Sequence, residues 1–247
     1  YDETDFSKGV RACLHEGGHA LYNVGIPSEY HGTPLGVISS TSAHEFQARS
    51  WENMIGRSRP FLRYLQQLLS SGELGFTKDI SFEVLWSAFN RVSESPTRVY
   101  ADEITYSIHI FIRTQIEFEL MSAALSVCDL KERWNELYQS LLSIEVANDR
   151  CGVLQDIHWF AIGYGYFPTY ALGNCLAGVA WRCFKQDYPD WDASVEVGDF
   201  SEFLSWQRKN VHCHAAARSF IDFNKGFGCA KLTFDPFVQY LRAKYVP

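Results

Sequence analysis

The chain has 247 residues, 47% hydrophobic and 15% aromatic, which suits a folded globular protein with a sizeable core and excludes a disordered one. A formal charge of −7 argues against nucleic acid or an anionic membrane as the main partner. No apolar run approaches the ~20 residues of a membrane helix and no signal peptide is expected. The seven cysteines are scattered without a C-x-x-C pair, so reduced thiols in a cytosolic protein are expected. Tyr1 stands where a Met would open a chain, and a helical pattern begins at once, so a continuation of something longer is expected.

Helix signals dominate in chain order. Thr4 or Asp5 caps a first helix with apolar positions Phe6, Val10, Cys13, Leu14 and Leu21, stopped by Gly25 and Pro27. Residues 30–42 turn small and β-branched, which predicts a short extended piece at a sheet edge because of Pro34. Such an edge could pair with a peptide as an added strand; a plain connector is the alternative. Ser42-Ala-His-Glu45 has the form of a capping box and opens the next helix. Further helices are predicted at 58–71, 79–92, 97–126, 130–146, 168–187, 199–216 and 235–245, the last with Pro236 at its first position. In 97–126 the isoleucines alternate as in a strand, yet length and the 104/108/111/112/116 stripe favour a helix. With no repeat or linker, a mainly α single domain with one short β element is predicted.

The chemistry is concentrated in the first helix, at Leu14-His15-Glu16-Gly17-Gly18-His19. Histidines four apart share a helix face, so His15 and His19 can aim imidazoles at one metal ion, with Glu16 placed to deprotonate a water there. Ordinary helices with surface histidines also match this pattern. A third ligand has to come from elsewhere. Glu45 is the foremost candidate, and its capping role at Ser42 is an equal alternative; Glu29, Glu52, His31 and His44 are weaker ones. Gly17 and Gly18 are poor helix formers, and a close approach of substrate or another helix is the expected reason for them.

Several blocks then recur in one order. They are His15-Glu-Gly-Gly-His-Ala-Leu-Tyr22, Gly32-Thr-Pro-Leu-Gly36, His44-Glu-Phe-Gln-Ala-Arg-Ser-Trp-Glu-Asn53, Arg98-Val-Tyr-Ala-Asp-Glu103, Gly152-Val-Leu-Gln-Asp-Ile-His-Trp159 and Gly165-Tyr-Phe-Pro-Thr-Tyr-Ala-Leu-Gly-Asn174. Over nearly its whole length the chain resembles the thermostable-type metallocarboxypeptidases of the M32 peptidase family. The resemblance implies a helical, zincin-like (gluzincin) catalytic domain over 1–247 with a deep groove, forming the C-terminal half of a longer chain. It implies metal ligands His15, His19 and Glu45, Glu16 as catalytic base, zinc as cofactor with cobalt able to substitute, and a cytosolic homodimer. The implied reaction removes single residues from peptides with a free C-terminus.

For the remaining blocks, His158 and Tyr170 are expected to stabilise the oxyanion, with Tyr166 in reserve, by analogy with distantly related helical zinc peptidases. Arg98 is expected either to bind the substrate carboxylate or to pair with Asp102 four residues on. Gln155 is expected at the substrate backbone, and Asp102 and Asp156 as acceptors that orient the histidine ligands. Arg49 and Arg57 read as surface charges or as charges just behind the ligands. Phe46, Thr97, the 211–218 stretch and the 223–232 stretch depart from the family pattern, and an upstream D-x-R-x-T block is absent. A related zinc endopeptidase or dipeptidase, and an inactive metal-binding module, are the competing functions.

Overall fold

The computed structural model describes residues 5–71 and 80–246. Among them lie twelve α-helices and no strand: α1 Phe6–Gly25, α2 Thr41–Arg49, α3 Arg59–Ser71, α4 Phe82–Phe89, α5 Tyr106–Met121, α6 Leu130–Leu142, α7 His158–Ala161, α8 Pro168–Asp187, α9 Trp191–Glu196, α10 Ser201–Asn210, α11 Phe220–Gly226 and α12 Asp235–Tyr245. No described helix is long and apolar enough to cross a membrane. All seven cysteines are free thiols. Thr4, one of the two expected caps, and the start of the predicted 79–92 helix lie outside the described residues.

The chain divides into two compact units, Tyr1–Asn90 with Leu172–Pro247, and Arg91–Ala171. The first is built around one aromatic-rich core that includes Tyr22, Phe46, Trp51, Leu62, Leu176, Trp181, Phe184, Trp206 and Phe237. In it α1 packs on α2 at backbone distance: a Cβ on Gly18 would lie 2.7 Å from the Ala48 Cα, so only glycine allows this approach. Gly17 faces open space. The second unit has a smaller core of Ile112, Ile116, Trp134, Leu137, Tyr138 and Leu142, where α5 meets α6.

Local chemistry sets the helix ends. Asp5 caps α1 by accepting from the Ser7 amide at 3.1 Å. Ser40 caps α2, accepting from the Ala43 amide at 3.1 Å, so the expected Ser42 box is corrected by two residues and Glu45 is released from capping. Losing such a cap costs ~1 kcal/mol. Immediately after α2, Ser50–Ile55 forms a π-helical turn, with the Gly56 amide donating to the Trp51 carbonyl at 2.9 Å.

Further expectations are overturned, and the predicted 199–216 helix is α10 followed by a 3-10 turn, His212–Ala217. The β edge at 30–42 is absent: Ser28–Tyr30 forms a 3-10 turn, the Thr33 amide and hydroxyl both donate to the Tyr30 carbonyl, and the Gly36 amide donates to the Thr33 carbonyl. With Gly32 at φ +76 and Pro34 lacking a donor, these turns consume the backbone groups that a ladder needs. The predicted 97–126 helix is a 3-10 turn, Arg98–Tyr100, followed by α5 from Tyr106. Asp102 accepts from the amides of Ile104 and Thr105 at 2.8 and 2.9 Å and from the Thr105 hydroxyl, which ends the irregular stretch and starts the helix.

Candidate metal centre

The 3.6-residue period of α1 places His15 and His19 on one face, and Glu45 reaches them from the second turn of α2. Glu45 Oε2 lies 3.7 Å from His15 Nε2 and 3.8 Å from His19 Nε2. One ligand atom from each of the three residues falls within a 4.8 Å span. Donors about 2.0–2.1 Å from one tetrahedral ion sit roughly 3.4 Å apart, so these three fit around a divalent cation after a small inward shift. The donor set, two imidazole nitrogens and one carboxylate oxygen, also has the right chemistry for such an ion. Gly173 on α8 faces this carboxylate, since a Cβ there would lie 2.7 Å from Glu45 Cγ.

Each imidazole is oriented from behind. His15 Nδ1 lies 3.0 Å from Glu52 Oε2, and His19 Nδ1 lies 3.1 Å from the His44 carbonyl. With the ring proton on Nδ1 in both, the Nε2 lone pairs face Glu45. Burial, together with the neighbouring His44 and His15 rings, pushes His19 down to about 4, so it is neutral near pH 7 as a metal ligand must be. Burial alone would raise the Glu52 carboxyl; Arg49, the His15 hydrogen bond and Arg57 more than offset it and hold Glu52 well below the usual carboxylate range. Glu16, one residue on from His15, is exposed.

The weaker ligand candidates fall elsewhere. His44 stacks on the His19 ring at 4.0 Å and contributes its carbonyl, while Glu29 and His31 are exposed on the turn segment. Glu52 acts through His15. Arg49 and Arg57, at 11% and 4% side-chain exposure, both face Glu52. Position in a local pattern could have pointed to this, because Glu45, Arg49 and Glu52 are spaced to share one helix face.

The residues expected for substrate chemistry come together in the second unit. His158, on α7, has Nε2 2.9 Å from the Tyr170 hydroxyl and stacks on Phe167 at 4.4 Å. Burial and the nearby Arg98 charge lower its pKa. Tyr166 lies with its ring centroid 5.5 Å from that of His158. Arg98 does not pair with Asp102: its Nε and Nη2 donate to Asp156 Oδ1 at 3.0 and 2.7 Å, and Nη1 donates to the Tyr106 hydroxyl. Asp156 also accepts from Arg113 at 2.7 Å. Gln155 has its amide spent within the unit: Oε1 accepts from the Arg98 amide and Arg113, and Nε2 donates to the carbonyls of Pro96 and Cys151 and to the Tyr138 hydroxyl. Asp102 and Asp156 serve a helix start and an arginine pair, which corrects their expected role in orienting histidines.

Comparison with known proteins identifies the family. Residues 1–245 match the family described as Carboxypeptidase Taq (M32) metallopeptidase. The chain is 38% identical over 251 residues to Thermostable carboxypeptidase 1 of Thermus thermophilus, covering 99% of this chain and 48% of that protein. It is 37% identical over 246 residues to Carboxypeptidase 1 of Bacillus subtilis, covering 99% of this chain and 49% of that one. The crystal structure of an M32 carboxypeptidase from Deinococcus radiodurans superposes with a TM-score of 0.94 at 34% identity, over 99% of this chain and 50% of that one. The chain thus spans about half the length of the relatives it matches. On that match over nearly its whole length, the chain belongs to the Carboxypeptidase Taq (M32) metallopeptidase family.

Proposed function

We propose that this chain is the C-terminal, metal-binding half of a zinc-dependent carboxypeptidase, with His15, His19 and Glu45 as ligands and Glu16 as general base. The observation that carries the reading is the convergence of two imidazole nitrogens and one carboxylate oxygen beside an exposed glutamate on the same helix. A bound zinc ion, or cobalt in its place, supplies Lewis acidity towards the scissile carbonyl and towards water. His15 and His19 hold their Nε2 lone pairs forward because Glu52 and the His44 carbonyl hold the Nδ1 protons behind. Glu16 takes a proton from water and returns it to the leaving amine.

The oxyanion role of His158 and Tyr170, with Tyr166 in reserve, rests on the analogy with distantly related helical zinc peptidases. It is supported by a neutral His158 hydrogen-bonded to the Tyr170 hydroxyl. Arg98 is proposed for the substrate carboxylate because an exopeptidase needs a fixed cation there, although its guanidinium already serves Asp156. Peptides with a free C-terminus are the proposed substrates, and a homodimer the proposed assembly.

Metal-loaded wild-type and Glu16→Gln proteins, assayed on an N-blocked dipeptide, test the mechanism. The variant is expected to keep the metal and lose ~10²–10⁴-fold in turnover. Retained turnover in the loaded variant removes Glu16 from its role. Equal cleavage of free-acid and amidated peptides points to an endopeptidase instead. A second reading, a metal-binding module inactive by itself, is favoured by the half-length span relative to the relatives. It predicts bound metal with no cleavage at any pH.

A further inference from the structure

Behind the three donors, one guanidinium touches two carboxylates. Arg49 Nε donates to Glu45 Oε1 at 2.7 Å, and Arg49 Nη1 donates to Glu52 Oε2 at 3.0 Å. The same Glu52 oxygen lies 3.0 Å from His15 Nδ1. Ligand Glu45, Arg49, Glu52 and ligand His15 thus form a ring that closes on the point where the donors meet. Exposed ion pairs four residues apart on a helix contribute little. Here the side chains of Arg49, Glu45 and Glu52 are 11%, 5% and 12% exposed, and these two bonds fall on the ligand carboxylate and on the atom that orients His15.

We propose that Arg49 is a positioning residue that restricts Glu45 to a single coordinating oxygen and, through Glu52, holds His15 in the tautomer that ligates. The proposal rests on the metallopeptidase reading above. A carboxylate can give a cation one oxygen or two, and its free oxygen decides which. With Oε1 held by Arg49 Nε, Glu45 offers Oε2 alone. The protein then supplies three donor atoms and leaves the other positions open to water and substrate, as a catalytic site requires. Released from Arg49, Oε1 can turn onto the ion, raise the coordination number and fill a position the substrate needs. Glu52, released at the same time, holds His15 Nδ1–H less firmly. Such a site discriminates against calcium, which takes six to eight oxygens and accepts bidentate carboxylates. Arg49 thereby contributes to metal choice as well as to ligand geometry.

Arg49→Gln and Arg49→Lys, compared with wild type, test this by zinc competition titration and by the visible spectrum of the cobalt-loaded proteins. Zinc binding is expected to weaken ~10–100-fold in Arg49→Gln, the usual range for losing a group behind the ligands. The cobalt absorption is expected to lose intensity as the coordination number rises. The lysine keeps the charge but lacks the fixed planar fork that holds both carboxylates, so it is expected to show the spectral change with a smaller loss of affinity. An unchanged cobalt spectrum with zinc affinity within about twofold of wild type, against that range, overturns the proposal. Should Arg49→Gln fail to match the far-UV circular dichroism of the wild-type apo-protein, Arg49→Lys decides by the same two readouts. A wild-type chain that binds neither zinc nor cobalt overturns both this proposal and the metallopeptidase reading. A wild-type chain that binds metal but cleaves nothing overturns only the activity, and the spectra of the variants still decide the role of Arg49.

Discussion

Two polar clusters in this chain use similar residues to different ends. Around Asp156 in the second unit, Arg98, Arg113, Gln155, Tyr106 and Tyr138 match donors to acceptors at 2.7–3.3 Å. Around Glu45 in the first unit, its Oε2 faces the two histidine Nε2 atoms at 3.7 and 3.8 Å, too far for a hydrogen bond to either. A cluster whose hydrogen bonds close on themselves holds a fold together, whereas one whose lone pairs converge is prepared for a cation. The difference lies in balance rather than in residue type, since each cluster pairs carboxylate with arginine.

Breaking the closed cluster is expected to have the largest effect on stability. Arg113 is fully buried, and Arg113→Met leaves Asp156 and Gln155 with missing donors, so ~3–5 kcal/mol of stability is expected to be lost. Urea unfolding followed by circular dichroism measures this, and zinc affinity below the transition is expected to stay at the wild-type value. The converse change, His19→Ala, is expected to abolish tight zinc binding while moving the urea midpoint of the apo-protein little.

A pH change reaches both units through histidines outside the metal site. Burial, with Arg113 and Arg98 nearby, lowers His109 to about 3, and burial, with Arg208 nearby, lowers His212 to about 4. Both are neutral in the folded chain and take up a proton on unfolding below about pH 6.5. Stability is therefore complete above that pH and falls as the pH drops towards 4, by about 1–2 kcal/mol for each histidine between pH 7 and pH 5. The urea midpoint at the two pH values checks it. His109→Gln and His212→Gln are each expected to flatten the dependence.

The adjacent glycines of the metal helix give the smallest and sharpest contrast. Gly18→Ala drives a methyl into the α2 backbone and is expected to cost about 1–3 kcal/mol and to weaken zinc binding, because α2 carries Glu45. Gly17→Ala meets no atom within 4 Å and is expected to stabilise by up to ~1 kcal/mol with zinc affinity unchanged. Thermal melting and zinc titration of the two variants separate them.

How much of this is legible in the chain depends on how local the cause is. Helices α8 and α12 begin and end where predicted, because each has a proline in its first turn and a steady apolar period. The His15–His19 pair is evident from spacing alone. The start of α2 is misplaced from sequence because Ser39, Ser40, Thr41 and Ser42 are four consecutive potential caps, and packing selects Ser40. The β-branched residues of 37–41 suggest a strand more strongly than Gly32, Pro34 and Gly36 suggest turns, and the turns prevail. Helices α7, α9 and α11, with four, six and seven residues, are too short to show a period. The Arg98–Asp156 pair joins residues 58 apart, so the nearer Asp102 is the partner that sequence makes visible. Glu52 and Arg49 read as charges: the Arg49 bonds to Glu45 and Glu52 are local, but the Glu52–His15 bond that gives them a role exists only once α1 packs on this stretch.

The wide turn at Ser50–Ile55 makes this stretch intolerant of length change. A π turn carries one residue more than the α-helix around it, so it has already absorbed that residue, and one further residue rotates the chain beyond it by about 100°. A single-codon insertion there would swing the Glu52 carboxylate away from His15 and turn the buried Met54 out of the core. The connector at 30–39 can gain or lose residues at its exposed tip, whereas here the chain keeps count.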